Sequence, residues 1–217
     1  MAKPAAKAGM DFFSPDFWNG LTAYGYAGVF GASLLGSLLP FVSGPYIPPI
    51  IIAVMAGRLE PFPTALASAA GAALAKLILF RFFKTGRVLL SDETRKRIEP
   101  LEKLAAKHGW LAVVAAAATP LPDDVVFVLL AVSNYSSKLF LPTVFAGKLL
   151  ITTAVAYVAL YWGNLACYIV ECIVGEVNIL HLTLIAIATA AAALAAVYLL
   201  TKLDWTKILS KLGMHTS

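Results

Sequence analysis

From Phe17 to Gly57 the chain carries no charged side chain, yet Pro40, Pro45, Pro48 and Pro49 interrupt the run. A bilayer-crossing helix takes about 20 apolar residues, so one pass uses about half of this stretch and two passes do not fit. Proline removes a backbone donor and blocks continued helix, which predicts a non-helical centre. The arm after Pro49, Ile50 to Gly57, ends at Arg58 and reaches about 12 Å as helix, less than half the hydrocarbon thickness. A second stretch, Ala118-Thr-Pro-Leu-Pro-Asp-Asp-Val, is broken the same way at Pro120 and Pro122. Gly109 to Thr119 enters it and Val125 to Val132 leaves it, and neither arm is long enough to cross. Irregular backbone at membrane depth persists only inside protein or beside a water-filled cavity. Both segments are therefore read as re-entrant hairpins whose tips meet inside the membrane.

The rest of the 217-residue chain supports a membrane setting. It is 60% hydrophobic with a mean hydropathy of +0.81, and 13% of its residues are charged, against about 25% in soluble domains. Leu182 to Thr201 and Leu149 to Val170 are further uncharged runs of spanning length. The net charge of +5 does not call for nucleic acid, because the basic residues flank hydrophobic spans. Lys84 to Lys107 holds seven Lys/Arg against four Asp/Glu, Leu149 to Thr201 holds no Lys or Arg, and Lys202, Lys207 and Lys211 follow. Under the positive-inside rule the central loop and C-terminus are cytoplasmic and Gly163 to His181 is outside. A multi-pass protein of the cell membrane is the expected localisation. Met1 to Gly9 has no apolar run behind it, so no secretory signal is read there.

Each broken segment is followed by a polar turn and a long helix. The interval from Pro48 to Gly71 nearly equals that from Pro122 to Gly147, a loose internal repeat. With the central loop inside, the two long helices run in opposite directions, which makes an inverted-topology repeat. The expected fold is an all-α polytopic membrane protein with two such repeats, each a re-entrant helical hairpin plus a transmembrane helix, and an added C-terminal transmembrane helix. The expected organisation is an interfacial segment over 1–19 and a first repeat over 20–84, with hairpin 22–58 and helix 62–84. A cytoplasmic amphipathic linker helix (85–108) leads to a second repeat over 109–163, with hairpin 109–134 and helix 138–163. An extracytoplasmic connection (164–181), a last span (182–202) and a cytoplasmic tail (203–217) complete the chain.

Four ionisable residues fall near midplane depth: Asp123 and Asp124 at the second hairpin tip, Lys76 in the first long helix and Lys148 in the second. Charges there are costly and are functional candidates by default. In a transport reading the carboxylates take a proton or cation and the lysines a phosphate or carboxylate. In a structural reading Asp123 caps the half-helix that starts at Val125, and Asp124 pairs with Lys148. Pro48, Pro49, Pro120 and Pro122 shape the crevice. Arg58 and Glu60, flanking the outer turn, are expected to pair at the surface or to play a symmetrical role opposite the cytoplasmic turn. Arg81 and Lys84 are expected to snorkel at the inner boundary. Tyr46 and Tyr135 are read as packing residues.

No zinc-protease, nucleophile-elbow, P-loop or dinucleotide motif is present. Cys167 and Cys172, five apart, have no His or Cys partner at metal-ligand spacing. No enzyme activity, cofactor or metal is expected.

The chain resembles the DedA family, also called VTT or SNARE-associated-Golgi-protein-like, over about Pro40 to Gly163. The resemblance rests on Pro45-Tyr-Ile-Pro-Pro with Ala56-Gly57, on Gly71 and the basic stretch Arg81 to Arg87, and on Thr119-Pro-Leu-Pro-Asp-Asp with Gly147. The Pro-x-Pro-Asp-Asp form is similar to archaeal members. The resemblance implies two re-entrant hairpins in an inverted repeat and movement of phospholipids or polyprenyl-phosphate lipids between leaflets, as a flippase or scramblase. Bacterial members carry a carboxylate after the first hairpin's prolines, where this chain has about Ile50. They also carry arginines near the second hairpin's proline, whereas Ala115 to Pro122 has none. Lys76 and Lys148 offer positive charge instead. The expected partners are membrane lipids, anionic headgroups favoured, with protons or Na⁺ and a homo-oligomer as further possibilities. A proton- or ion-coupled solute transporter and a non-transporting scaffold are the alternatives.

Overall fold

The structure is a computed structural model and describes residues 20, 23–40, 46–86, 92–119 and 123–165, with isolated positions between 184 and 198. Among the described residues regular structure is entirely α-helical. The helices are α1 (Gly25–Ser37), α2 (Ile47–Met55), α3 (Pro61–Gly86), α4 (Asp92–Ala117), α5 (Asp124–Val132) and α6 (Ser137–Tyr161). By length and apolar composition α3 and α6 can each cross a membrane, and at 1.5 Å per residue both exceed the ~30 Å hydrocarbon thickness. The interfacial segment 1–19, the connection 164–181 beyond Leu165 and the tail 203–217 lie outside the described residues, as do Pro120 and Pro122 and most of 182–202.

The long helices are antiparallel. Phe80 of α3 stacks on Phe140 of α6 at 4.0 Å between ring centroids, while at the other end Thr152 Oγ1 donates to the Ala65 carbonyl at 3.1 Å. Around this pair the short helices sit in a matched pattern. α1 packs on α3 and α4 packs on α6, whereas the return arms cross over, α2 onto α6 and α5 onto α3. The mouths of the two hairpins lie at opposite ends of α3. The hydroxyl of Tyr26 in α1 accepts the Glu60 N–H at 3.3 Å beside the start of α3. Lys84, near the end of α3, donates to the carbonyl of Tyr135 at 2.6 Å. Lys84 thus ties the turn after α5 to α3, where snorkelling was expected.

Two glycines set the close approaches. A Cβ at Gly71 would lie 2.2 Å from the Phe30 carbonyl oxygen of α1, and one at Gly147 would lie 2.8 Å from the Val114 oxygen of α4. Beside Gly71, Ser33 and Ser68 share a buried hydrogen bond of 2.7 Å.

Three local features differ from the sequence expectation. Pro48 and Pro49 are helical, buried in the first turn of α2, where a missing N–H is an orphan in any case; the break precedes them. Asp123 stands at the N-cap position of α5 but makes no capping hydrogen bond. Finally, α4 is continuous from 92 to 117, so no break separates a linker helix ending at 108 from a hairpin arm starting at 109. Gly109 lies inside that helix, and the Tyr135 ring packs 2.8 Å from where its Cβ would be.

Both return helices end the same way, with a residue of positive φ just past the cap: Gly57 (φ 64°) after α2 and Asn134 (φ 56°) after α5. At α5 the N–H groups of Asn134 and Tyr135 reach back to the carbonyls of Ala131 and Leu130 at 3.1 and 3.0 Å, a Schellman closure. Asn134→Val is expected to cost about 1–2 kcal/mol, because a β-branched side chain clashes in the left-handed region. Asn134→Gly should be neutral or better. Thermal unfolding in detergent micelles measures both.

Candidate functional site

The site lies where the α2 and α5 N-termini meet α3 and α6. Lys76 Nζ donates to Asp124 Oδ1 at 2.7 Å and stands 3.4 Å from Asp123 Oδ1. Asp123 Oδ2 lies 2.7 Å from Lys148 Nζ, an ion contact without hydrogen-bond alignment. The Lys148 ammonium also sits over the Tyr46 ring, 4.6 Å from its centroid. All four charged residues are 1–3% exposed, so the charges see one another and not solvent.

The expected Asp124–Lys148 pair is replaced by a chain of contacts: Asp124 to Lys76, Lys76 to Asp123, Asp123 to Lys148. The reason is angular. Successive helical residues project about 100° apart, so the two adjacent aspartates share Lys76 of α3 from different directions, and Asp123 reaches Lys148 of α6 as well. This also explains why Asp123 does not cap its own helix.

Pro48 and Pro49 border the site in the first turn of α2 and leave that turn two N–H donors short. The N–H groups of Tyr46 and Ile47 remain at that helix start. Arg58, Glu60 and Arg81 are exposed and join no ion pair among the described residues, so the expected Arg58–Glu60 surface pair is absent.

Tyr46 is the residue that sequence reasoning set aside. A signal for it exists, since α2 and α5 are equally long and their starts differ by 124 − 47 = 77 in the numbering. On that offset Pro45 matches Pro122, and Tyr46 matches Asp123 (123 − 46 = 77). The two N-cap residues thus face the same ammonium from the two halves of the chain. The lysines are not counterparts. On the offset that relates Gly71 to Gly147 (147 − 71 = 76), Lys76 matches Thr152 and Lys148 matches Ala72. Apolar clusters flank the charges. One is built on Phe80, Phe127 and Phe140, and the other on Tyr46, Ile47, Ile50, Ile51 and Ala156.

Residues 45–161 match the VTT domain, a stretch that takes in α2 through α6 and every residue of the charged centre. Comparison with curated proteins and with solved structures gives no match. With more than half of its length inside that domain, and with two helices able to cross a bilayer, the chain is a membrane protein and belongs to the VTT-domain family, that of the DedA proteins.

Proposed function

We propose that the protein moves phosphate-bearing lipids, phospholipids or polyprenyl-phosphate carriers, between the leaflets of the cell membrane. The observation that carries this reading is the buried centre of two lysines and two aspartates, drawn from both halves of the chain. Replacing such a centre with apolar side chains is commonly neutral or stabilising, so a scaffold has little need of it. A transporter does, because a headgroup must find charged partners at midplane depth. In the working cycle the hairpin tips part and the headgroup enters between α2 and α5. Lys76 and Lys148 donate to phosphate oxygens while the tails stay in lipid. The protein's part is binding and passage, with no bond made or broken.

In this reading each hairpin is re-entrant and the two halves are inverted across the bilayer, with the central loop and C-terminus cytoplasmic. The mouths at opposite ends of α3 support it. Cysteines at Tyr24 and Arg58 are expected to react with an impermeant maleimide from one side, and cysteines at His108 and Lys138 from the other. Reaction of the two ends of one hairpin from different sides would rule the arrangement out.

In proteoliposomes, Lys76→Gln and Lys148→Gln are expected to slow flipping of a labelled phosphate-bearing lipid by about tenfold or more each. A lost charge-assisted hydrogen bond in a dry site is worth at least one decade. Folded variants that flip at the wild-type rate would make the charges structural. Protein that carries H⁺ or Na⁺ but moves no lipid would give the ion-coupled transporter instead.

A further inference from the structure

The arms of the second hairpin do not close on each other. On α4, Ala105, Gly109 and Ala112 are spaced so that they share one face, and small residues there let a neighbouring helix come close. A gap of about 280 Å³ lies beside them instead, walled on the α5 side by Val126, Leu129 and Leu130. His108 is the one polar side chain in its lining. The gap is open at the surface, where Ala112 and His108 are exposed. An apolar gap left empty forfeits the contacts on which packing rests, and water finds too few partners there to fill it.

The sequence of α4 shows what borders the gap. Every charge of the helix precedes Gly109, and Gly109 to Ala117 carries none. Trp110 follows at once and is 51% exposed, and a tryptophan at such a boundary marks the membrane interface. The gap straddles that boundary, with Ala105 and His108 on the charged side and Ala112 on the apolar side. It has the polarity of a lipid lying in one leaflet. Charge agrees. Lys107 and His108 are exposed at the polar end, and exposed Lys138 comes three residues after Tyr135, whose ring packs against Gly109. Lys103 is engaged by Glu99 at 3.7 Å. Glu102 is the nearest carboxylate before His108 along α4, six residues away, and no carboxylate lines the gap.

We propose that this gap is a lipid site that holds one acyl chain of a phospholipid with an anionic headgroup. The chain lies between α4 and α5, and the phosphate accepts hydrogen bonds from the Lys107 ammonium and a ring N–H of His108. The bound lipid completes the packing of the two arms. It is a standing part of the structure and not the cargo of the charged centre, so the site holds whether or not the protein moves lipids. It also ties stability to the bilayer, because a lipid that binds only the folded protein stabilises it by mass action.

The test uses the full chain in phosphocholine vesicles with a trace of a photoreactive lipid, a diazirine on one acyl chain and either a phosphoglycerol or a phosphocholine headgroup. After irradiation, mass spectrometry locates the labelled residues. The phosphoglycerol probe is expected to label Val126 and Leu129 about fivefold more than the phosphocholine probe, the scale of one basic residue beside an anionic headgroup. At Leu150 and Ile78, exposed on α6 and α3, the two probes should label alike. Lys107→Gln with His108→Gln should bring the ratio at Val126 and Leu129 to that of the controls. Ala112→Leu, which fills the gap, should remove the label there with both probes. A ratio at Val126 and Leu129 equal to that at Leu150 and Ile78 overturns the proposal. So does an absence of label at Val126 and Leu129 while the controls react, the result expected if residues 182–202 or a second copy of the chain cover the gap. If Ala112→Leu does not fold, the wild-type ratio and that of the Lys107→Gln, His108→Gln variant decide.

Discussion

Asp123→Asn is expected to be the most damaging single change in the charged centre, lowering stability by about 3–5 kcal/mol, the usual result of stripping one partner from a buried ion pair. It replaces the carboxylate that touches both lysines with an amide, and among the described residues leaves Lys148 held by the Tyr46 ring alone. Asp124→Asn should cost less, because Lys76 still has Asp123 at 3.4 Å. Adding Lys148→Met to Asp123→Asn should restore much of the loss, since the remaining Lys76–Asp124 pair is neutral. Thermal unfolding of wild type, Asp123→Asn, Lys148→Met and the double variant in micelles completes the double-mutant cycle. Strictly additive losses, or a larger loss for Asp124→Asn, would contradict the chain of contacts described above.

The second large effect belongs to the glycines. Gly71→Ala puts a methyl carbon 2.2 Å from the Phe30 oxygen and 3.1 Å from the Leu34 nitrogen, both backbone atoms of α1. A side chain there could swing aside; a helix backbone cannot, so α1 must lift from α3 and the Ser33–Ser68 hydrogen bond must break. Overpacking of this kind costs about 1–3 kcal/mol and occasionally more. Gly147→Ala should behave alike, its methyl meeting Ala117 Cβ at 2.6 Å. Gly31→Ala is the control, because nothing lies within 4 Å of its Cβ. Glycine is a poor helix former, so that change should gain up to about 1 kcal/mol. Micelle melting curves in which Gly71→Ala tracks Gly31→Ala would show that α1 does not press on α3.

Much of this architecture could be read from the chain because breaks and charges are rare in it. Two helices able to span, a pair of short arms after proline-rich breaks, and Gly71 and Gly147 at like positions all stand out against an uncharged background. Depth along a helix could be counted, which placed Lys76 and Lys148 near one level. Direction around a helix could not be, because it depends on how α5 is rotated against α3 and α6. Hence the wrong partner for Asp124 and the missed bridging role of Asp123. Tyr46 escaped for another reason: a buried tyrosine in an apolar run reads as packing until its ring is seen under an ammonium. The need for glycine at 109 comes from Tyr135, which belongs to the far side of the second hairpin and is remote from Gly109 in the sequence.

The long sequence separation inside the charged centre has a consequence for how the protein is made. Lys76 belongs to the first half of the chain, and its hydrogen-bonded carboxylate, Asp124, is 48 residues downstream. At about 5–20 residues per second, the ribosome delivers that partner roughly 2–10 s after the lysine. Through that interval α3 bears an unmatched cation within its apolar length, a poor candidate for settling in lipid alone. The first half should thus linger beside the insertion machinery until the second half arrives. A chain halted before residue 123 is expected to be extracted and degraded, and one halted after α6 to be retained.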